Sequence, residues 1–552
     1  MSTSGSTHHR LRATIGATLA VLVTVTGCSS ASRPAARTST AQADLIDTPV
    51  ARGQVDKVTW NLPYGEPNSL DYIQVENYPE QMVESNICES LLRLTPNNSF
   101  DPGLASAVAH PTPLTWVYTV RPGVHFTNGA LMTAADVVFS LQRHLNPTLG
   151  SFYNQPWGQY VKSVAQSAAD QVTVTTTTPN VLVNSMMATQ FGVVAQKSYI
   201  EAKGTDYGTA KGGVMCTGPF TLASWTPGSN IVLKRNDNYW DKTLEAKAAE
   251  FDLKFLTNPA TITNALITGQ LDGTYEVPAS AIPTLQTSSS GHLYIGRGQQ
   301  VKALQITSLT GALKDPRIRE ALSLAIDRDA IARTVFNGAA QPTLSPQGPG
   351  SWSYGTSTFQ AAYTKTGSGR VDLAQAQALV KAAGTPRQPI VMAVHAGDAG
   401  AVQTATEVQS AATEIGLRAT IQQIGEPRYS TLFFNPKARV GIDLMVAGMS
   451  GDIPDPLEYL ISYALPDSSQ NFTGYSDPKL AALVNQALAA TDPTTRAQLT
   501  VQAEQAFIAN RTEIPLVTQD EVLFMNKRIT GAPASFSYLD FPWAALVGAA
   551  SK

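Results

Sequence analysis

The residues best suited to binding chemistry are two carboxylates, Asp452 and Asp455, in the stretch Gly441–Asp455. The first half of this stretch alternates apolar side chains and ends in small ones, which predicts a buried strand. The second half contains glycine, serine and proline, which predicts a loop that carries both carboxylates. A carboxylate at a strand tip without an internal partner would bind a small cationic or zwitterionic ligand, because a buried charge needs a counter-charge. Neighbouring carboxylates could instead serve acid–base or metal chemistry.

The two carboxylates differ in their local sequence. Asp455 precedes Pro456 and is followed three residues later by Glu458, which is the pattern of a helix N-cap, an N1 proline and an acidic N3 residue. Asp455 is therefore predicted to cap the next helix. No such local role is evident for Asp452, which we interpret as a ligand anchor; the alternative is a turn-stabilising aspartate. Because one carboxylate already has a structural use, catalysis by the pair is not expected.

The segments before this stretch alternate between strand and helix. Their patterns predict a strand at Pro389–Val394, a helix at Val402–Gly416, a strand at Leu417–Ile424 and a short helix at Tyr429–Phe434. Such alternation favours parallel strands, and in parallel sheets ligands bind beyond the carboxyl ends of the strands. The loop of Asp452 is predicted to lie at such an end.

Length and composition exclude several classes of function. The chain has 552 residues, enough for about three domains. A net charge of -3 gives no basic footprint for nucleic acid. Three cysteines are too few for a disulfide scaffold or a zinc ribbon, and the seven histidines show no helical metal-ligand spacing. We therefore expect no nucleic-acid partner, no metal site and no cofactor.

The beginning of the chain has the pattern of an export signal. Arg10 and Arg12 precede Ala13–Thr26, an uncharged run too short to cross ~30 Å of hydrocarbon but suited to a signal h-region. Val25-Thr26-Gly27-Cys28 resembles a bacterial lipobox, in which the cysteine is lipidated and becomes the mature N-terminus. Residues 1–28 are thus predicted to be a lipoprotein signal peptide with a palmitate-type anchor at Cys28. The alternative is an ordinary secretory signal.

Residues 29–56 are predicted to form a flexible tether, because they are rich in serine, alanine, threonine, proline and arginine. A coil of ~28 residues has a reach of roughly 30 Å, which would hold a folded domain beside a membrane. Folded sequence is predicted from Lys57 onward. The protein is expected at the extracytoplasmic face of the cell membrane.

Several motifs further along the chain follow one another in the same order as in a known protein family. They are Arg121–Gly129 with Thr133–Leu141, Thr217–Phe220 with Asn238–Trp240, and Asp315–Arg319 with Ala321–Arg328. The first pair resembles the signature "R-x-G-v-x-F-x-x-G … t-A-x-D-V-v-f-S". Together, over roughly Val58 to Pro542, the motifs resemble the bacterial extracellular solute-binding proteins of family 5. These oligopeptide-, dipeptide- and nickel-type proteins feed ABC importers.

The resemblance implies an α/β, type II periplasmic-binding-protein fold with two lobes around a cleft and an extra domain. Lobe I would comprise residues 57–95, 215–300 and 520–552, the extra domain II residues 96–214, and lobe III residues 301–519. Lobe III would carry the Asp452 loop. The lobes of a monomer would close on the ligand by hinge motion and dock on ABC permease subunits.

The resemblance also implies a role for the Asp452 loop. Gly448–Pro456 fits a "G-x-x-x-D-x-x-[DE]-P" stretch whose aspartate pairs with the free ammonium of a peptide. Met449, Ser450, Gly451 and Asp452 are accordingly predicted to contact the ligand. An oligopeptide-binding branch has an aromatic residue where Met449 stands and an arginine where Val446 stands. The clamp for the peptide carboxylate is not recognisable here, which leaves ligand length undetermined.

Other candidate ligand contacts lie in predicted loops: Tyr64, Glu66 and Asn68 after the first strand, Tyr153 and Trp157 in a Gly/Asn/Pro loop, and Asn471 and Phe472 after the Asp452 loop. The first three could equally form an exposed turn. The aromatic pair could stack on a ligand or pack beneath its loop. Cys88 and Cys216 remain once Cys28 is lipidated, and an even pair in an oxidising compartment predicts a disulfide.

Patterns for an enzyme are missing from the sequence. Gly-x-Ser-x-Gly, His-Glu-x-x-His, Walker A and Gly-x-Gly-x-x-Gly motifs do not occur. The main hypothesis is a lipid-anchored binding subunit of an ABC importer for short peptides. A second is the same fold with another small solute, such as a nickel chelate, haem or a siderophore. A third is an envelope-assembly lipoprotein without a transport role, which a cleft filled by its own side chains would favour.

Overall fold

The computed structural model describes residues 48–154, 157–425, 427–466, 468 and 470–551. The predicted signal peptide, Cys28 and the tether up to residue 47 lie outside these ranges. The last residues of the predicted tether are folded: the Thr48 hydroxyl donates to the Ala532 carbonyl at 2.8 Å, and the first strand begins at Val55. The folded region therefore begins before Lys57, where the sequence predicted its start.

The strands have the following bounds in chain order: β1 (Val55–Asn61), β2 (Leu92–Leu94), β3 (Phe100–Pro102), β4 (Ala105–Thr112), β5 (Thr115–Val120), β6 (Val161–Ala168), β7 (Gln171–Thr176), β8 (Phe220–Thr226), β9 (Asn230–Arg235), β10 (Ala248–Lys254), β11 (Gly273–Thr274), β12 (Gly291–Gly296), β13 (Val301–Ile306), β14 (Ala340–Pro342), β15 (Ile390–His395), β16 (Ala419–Ile424), β17 (Leu444–Met449), β18 (Glu513–Gln519), β19 (Glu521–Asn526), β20 (Ile529–Thr530) and β21 (Gly548–Ala549).

The α-helices have the following bounds: α1 (Tyr78–Ile87), α2 (Ala134–Leu145), α3 (Leu182–Met186), α4 (Lys197–Lys203), α5 (Pro259–Thr268), α6 (Ile282–Gln286), α7 (Pro316–Ala325), α8 (Arg328–Thr334), α9 (Thr356–Thr366), α10 (Leu373–Ala382), α11 (Ala399–Glu414), α12 (Arg428–Phe434), α13 (Pro456–Tyr463), α14 (Pro478–Ala489) and α15 (Pro493–Asn510). In the described ranges, none of these helices combines the length and apolar character that a bilayer crossing needs.

One large sheet has seven strands in the order β12-β19-β11-β1-β10-β9-β8. Strand β1 lies at its centre and runs parallel to β10 and β11. Trp60 of β1 is fully buried against Phe251 and Trp543, which form the core beneath the sheet. Gly273 of β11 has to be a glycine, because a Cβ there would overlap the Trp60 ring.

The second large sheet has six strands in the order β14-β18-β13-β17-β15-β16. Strand β15 is parallel to both β16 and β17, as the alternation of strands and helices predicts. On its other side, however, β17 is antiparallel to β13, so the expectation of parallel pairing holds for one edge of β17 only. Met449 at the end of β17 lies opposite Val301 at the start of β13. The Asp452 loop therefore leaves the sheet where β13 enters it.

The chain crosses between the two large sheets twice, from β12 to β13 and from β18 to β19. The two crossings are hydrogen-bonded to each other, because the Gln519 N–H donates to the Gln300 carbonyl at 2.8 Å. Hinge residues commonly lie at the ends of elements, as these two crossing segments do.

A smaller sheet has four strands in the order β4-β5-β7-β6, and helix α2 packs on it. The helix begins with the predicted capping box, in which Asp136 Oδ2 accepts from the Thr133 N–H at 3.0 Å. The core of this region continues into α13 and α14 beside the Asp452 loop. The Val181 N–H donates to the Leu488 carbonyl at 3.0 Å, which joins this region directly to α14.

Helix α1 is shorter than its sequence pattern suggests. Val83, Ile87 and Leu91 are spaced along one helical face, which predicts a helix at Pro79–Leu92. Helix α1 instead ends at Ile87, because Cys88 has an extended backbone, with φ -115° and ψ 159°. Cys88 forms a disulfide with Cys216, and their Cα atoms are 4.8 Å apart. The apolar residues beyond Cys88 then enter β2 instead of continuing the helix.

Candidate functional site

The loop after β17 carries both carboxylates that the sequence singles out. Asp455 caps α13, as predicted: its Oδ1 accepts from the Leu457 N–H at 2.9 Å and from the Tyr354 hydroxyl at 3.1 Å. Burial raises the pKa of Asp455, and the charge of Arg496 opposes that shift. Because this carboxylate is occupied by the helix terminus, it is not available to a ligand.

Asp452 has a single described side-chain partner. Trp157 Nε1 donates to its Oδ2 at 3.4 Å. Burial raises the pKa of Asp452 to about 6, and the hydrogen bond from Trp157 opposes the shift. In the described part of the chain, no lysine or arginine contributes to its electrostatic environment. Asp452 is thus a carboxylate that a cation could stabilise.

Glu458 of α13 is a close neighbour of Asp452 that the sequence analysis assigned only to the N3 position of the helix. Its Oε2 lies against Gly451 and is buried without a hydrogen-bond partner among the described residues. Burial, followed by the charges of Asp452 and Asp455, raises the pKa of Glu458 well above its ordinary value. A Cβ at Gly451 would overlap Glu458 Oε2, so a side chain there would require the buried Glu458 carboxylate to move.

Tyr153 and Trp157, the predicted stacking residues, are both buried. The Tyr153 ring packs edge-on against His144, and its hydroxyl donates to Gln190 Oε1 at 3.1 Å. The Trp157 ring is likewise enclosed, but its indole nitrogen faces Asp452. Trp157 therefore contacts Asp452, the predicted ligand anchor, whereas the ring of Tyr153 is buried in the core.

The loop after β1 contains three predicted contacts with different surroundings. Tyr64 is 67% exposed, has a φ of +66° and donates to Glu276 Oε2 at 3.1 Å. Glu66 accepts from Trp225 Nε1 at 2.7 Å and from the Gly228 N–H at 2.8 Å, so its carboxylate holds the β8–β9 turn. The side chain of Asn68 is exposed. Tyr64 and Asn68 are therefore exposed, whereas Glu66 is half-buried.

The remaining predicted contacts have local structural partners. Asn471 Nδ2 donates to the carbonyls of Leu465 at 3.1 Å and Tyr475 at 2.8 Å, which stabilises its own loop. The Phe472 ring lies 4.5 Å from the Arg439 guanidinium carbon. Met449 is buried beside Asp452, and Ser450 is partly exposed. Among the residues described, no group of three or more histidine, cysteine or acidic side chains is arranged for a metal ion.

Two further buried carboxyl groups, those of Asp540 and Glu84, have no sequence motif that could have identified them. The charge of Asp452 raises the pKa of Asp540, in addition to the larger effect of burial. Burial also raises the pKa of Glu84, with smaller contributions from Asp71 and Asp540. Asp540 lies in the C-terminal segment and Glu84 on α1, so only the folded chain brings these two carboxyl groups within electrostatic reach of each other.

Comparison with known proteins identifies relatives of the same architecture. Residues 99–471 match the family model described as "Bacterial extracellular solute-binding proteins, family 5 Middle". The oligopeptide-binding protein OppA of Bacillus subtilis is 24% identical over 466 residues, covering 80% of this chain and 84% of OppA. The periplasmic oligopeptide-binding protein OppA of Salmonella typhimurium is 24% identical over 500 residues, covering 86% of this chain and 89% of the relative.

A solved structure has the same fold. Helicobacter pylori DppA, an ABC transporter-associated periplasmic binding protein in complex with the peptide STSA, superposes with a TM-score of 0.76. The two chains are 18% identical, and the match covers 90% of this chain and 98% of DppA. The type II periplasmic-binding-protein architecture expected from the sequence is thereby confirmed.

Proposed function

Because the chain belongs to the bacterial extracellular solute-binding proteins of family 5, we propose that it binds short peptides and delivers them to the permease of an ABC importer. The observation that carries the peptide assignment is the environment of Asp452. Its carboxylate lies at the carboxyl end of β17, accepts one hydrogen bond from Trp157 and has no cationic partner among the described side chains. The ammonium group at the start of a peptide supplies the missing counter-charge.

The geometry explains why an ammonium would bind here in preference to a neutral group. Burial disfavours the charged carboxylate and raises its pKa to about 6. A bound cation offsets this cost and adds a charge-assisted hydrogen bond. Losing one partner of a buried charge pair costs on the order of 2–5 kcal/mol. This corresponds to roughly 30-fold to several-thousand-fold in affinity.

The same elements provide a means of closing on the ligand. Trp157 precedes β6 of the four-stranded sheet, whereas Asp452 follows β17 of the six-stranded sheet. Hinge motion at the β12–β13 and β18–β19 crossings would move these regions relative to the seven-stranded sheet. Closure over the peptide would exclude water from the Asp452 carboxylate, which strengthens its interaction with the ammonium.

The relatives support the peptide assignment by their names. OppA of B. subtilis and of S. typhimurium are oligopeptide-binding proteins, and DppA of H. pylori was solved with a peptide. Peptide length and side-chain preference depend on the residues lining this particular cleft. We propose Tyr64 and the loop Met449–Asp452 as contacts, because Tyr64 has an open surface and the loop surrounds the anchor.

Attachment to the membrane is the second part of the proposal. Cys28 follows an apolar run and a lipobox-like tripeptide, which supports lipidation and a monomer tethered at the extracytoplasmic face. Mass spectrometry of the mature N-terminus would reveal a diacylated Cys28 peptide, and Cys28→Ala should release the protein from the membrane fraction. An unmodified Cys28 in membrane-associated protein would contradict lipid anchoring.

The test of peptide binding is calorimetric titration of the mature protein with matched peptides. A set of di- to pentapeptides is used with a free and with an acetylated N-terminus. We expect the free peptides to bind and the acetylated ones to lose at least 30-fold in affinity. Equal affinities would refute recognition of the ammonium by Asp452. Mass spectrometry of the ligand that co-purifies with the native protein identifies a non-peptide solute if no peptide binds.

A further inference from the structure

A small cavity beneath α1 is lined by carboxyl groups that the peptide ammonium does not use. It has a volume of about 20 Å³, and Glu84, Ser85, Gln190 and Asp540 are among its lining residues. Glu84 is 1% exposed, and neither of its carboxylate oxygens has a hydrogen-bond partner among the described residues. Asp540 Oδ1 is also buried without a partner in the described part of the chain. Buried polar atoms are rarely left in this state, so the cavity is suited to an occupant that donates hydrogen bonds.

The described side chains do not neutralise these carboxyl groups. The charges that act on Glu84 are those of Asp71, Asp540 and Glu80, and the charge that acts on Asp540 is that of Asp452. All of these charges are negative.

One cation, Arg93, also lines the cavity, but it is already paired. Its guanidinium lies 3.2 Å from a Glu89 oxygen and 2.9 Å from an Asp241 oxygen. Burial of uncompensated carboxylates is unfavourable, so Glu84 and Asp540 either keep a proton or require a further cation.

Tyr153 relates this cavity to the proposed peptide anchor through its electrostatic environment. The Tyr153 hydroxyl lies in the fields of Asp452, Asp540 and Glu84. It donates to Gln190 Oε1 at 3.1 Å, and Gln190 Nε2 donates at 3.2 Å to the carbonyl of Leu539, next to Asp540. Asp540 thus lines the cavity and also lies within the field of Asp452.

We propose that Asp540 and Glu84 form a second cation subsite, which takes the side-chain ammonium of a lysine at the first position of the bound peptide. This inference rests on the proposed function, because the α-ammonium of the same residue would be held by Asp452. The cavity volume distinguishes between basic side chains. About 20 Å³ is enough for one water-sized group, which a compact ammonium resembles and a planar guanidinium exceeds. A preference for lysine over arginine therefore follows.

The experiment compares three tripeptides that differ only at the first residue: Lys-Ala-Ala, Arg-Ala-Ala and norleucine-Ala-Ala. Norleucine retains the aliphatic stem of lysine and lacks the charge. Calorimetric titration of the mature protein should give at least tenfold tighter binding of the lysine peptide than of either other peptide. Glu84→Gln and Asp540→Asn should each remove most of this preference while leaving the norleucine peptide within about threefold of wild type. Asp170→Asn, at an exposed turn between β6 and β7, is the matched control and should change nothing.

The outcomes separate the subsite from the proposed function. Binding of the lysine and norleucine peptides with equal affinity by wild type overturns the second subsite and leaves peptide binding intact. Failure of wild type to bind any of the three overturns the proposed function itself. An equal loss of affinity for both peptides in Asp540→Asn also overturns the subsite. The partly exposed Asp540 provides this test even if Glu84→Gln, within the core of α1, fails to fold.

Discussion

The Trp157 indole nitrogen donates to Asp452 Oδ2 at 3.4 Å, although the two residues are separated by 295 positions in the chain. Trp157 is buried, so its ring excludes water from one side of the carboxylate. The indole N–H is a neutral donor, so it stabilises the carboxylate of Asp452 but does not neutralise its charge. The position opposite the indole therefore remains suited to a cation, which is the basis of the proposed peptide anchor.

Replacing the anchor tests this relationship directly. Asp452→Asn keeps the size of the side chain and its contact with Trp157 but removes the charge. We expect the affinity for peptides with a free ammonium to fall by roughly 30-fold to several-thousand-fold. Calorimetry measures this loss, and N-acetylated peptides serve as the control because their affinity should change little. An unchanged affinity for free peptides would show that another group binds the ammonium.

The raised pKa of Asp452 predicts how peptide affinity depends on pH. Its ordinary value of 3.8 is raised to about 6, so below pH 6 the carboxyl is protonated in the ligand-free protein. Binding an ammonium then requires release of that proton, and affinity should fall by about tenfold per pH unit below 6. Titrations between pH 5 and pH 7.5 measure the slope. The affinity of Asp452→Asn should depend less on pH. Equal pH profiles for both proteins would show that a group other than Asp452 titrates.

The same shift predicts a change in stability with the opposite sign. Between about pH 4 and pH 6 the Asp452 carboxyl is protonated in the folded protein and ionised in the unfolded chain. The contribution of Asp452 to the free energy of unfolding therefore falls as pH rises through that window. Glu504 and Glu513, whose pKa values burial raises to about 7, act in the same direction. Thermal unfolding of the ligand-free wild type and of Asp452→Asn separates the contributions. The variant should gain stability relative to wild type above pH 6, and a constant difference across pH would contradict this assignment.

Gly451 is expected to tolerate no side chain. In Gly451→Ala the new Cβ would overlap Glu458 Oε2, and Glu458 is buried against the loop. Overpacking of this kind typically costs about 1–3 kcal/mol, and displacement of the loop should also weaken peptide binding. Urea denaturation measures the first effect and calorimetry the second. Gly425→Ala is the matched control, because no atom lies within 4 Å of its added Cβ. Equal stability of the two variants would mean that Glu458 moves freely.

Removal of the disulfide should destabilise the fold without altering the anchor. The bond joins residues separated by 128 positions, and closing so long a loop restricts the unfolded chain considerably. The double variant Cys88→Ser/Cys216→Ser should lose about 2–5 kcal/mol of unfolding free energy. Urea denaturation with and without reductant measures the loss. If reductant lowers the stability of wild type but not of the variant, the effect belongs to the bond and not to the substituted side chains.

Features that depend on neighbouring residues were predictable from the sequence. Asp455 caps α13 and Asp136 completes the capping box of α2, because both hydrogen bonds form within three positions of the carboxylate. The motif order was sufficient to identify the family, and the candidate anchor Asp452 emerged from its lack of a local role.

Features that depend on distant partners were not predictable in this way. The apolar pattern after Cys88 suggests a longer helix, but an extended backbone ends α1 there. Glu66 looked available in its loop, yet its carboxylate is used by Trp225.

The sequence by itself determined the family, the local caps and the singular position of Asp452, because these are expressed in short-range patterns of residue type. Only the tertiary structure decided that Trp157 donates to that carboxylate and that its charge acts on Asp540. Their proximity results from packing between elements far apart in the chain. Electrostatic effects depend on distance in space, which residue order alone does not specify.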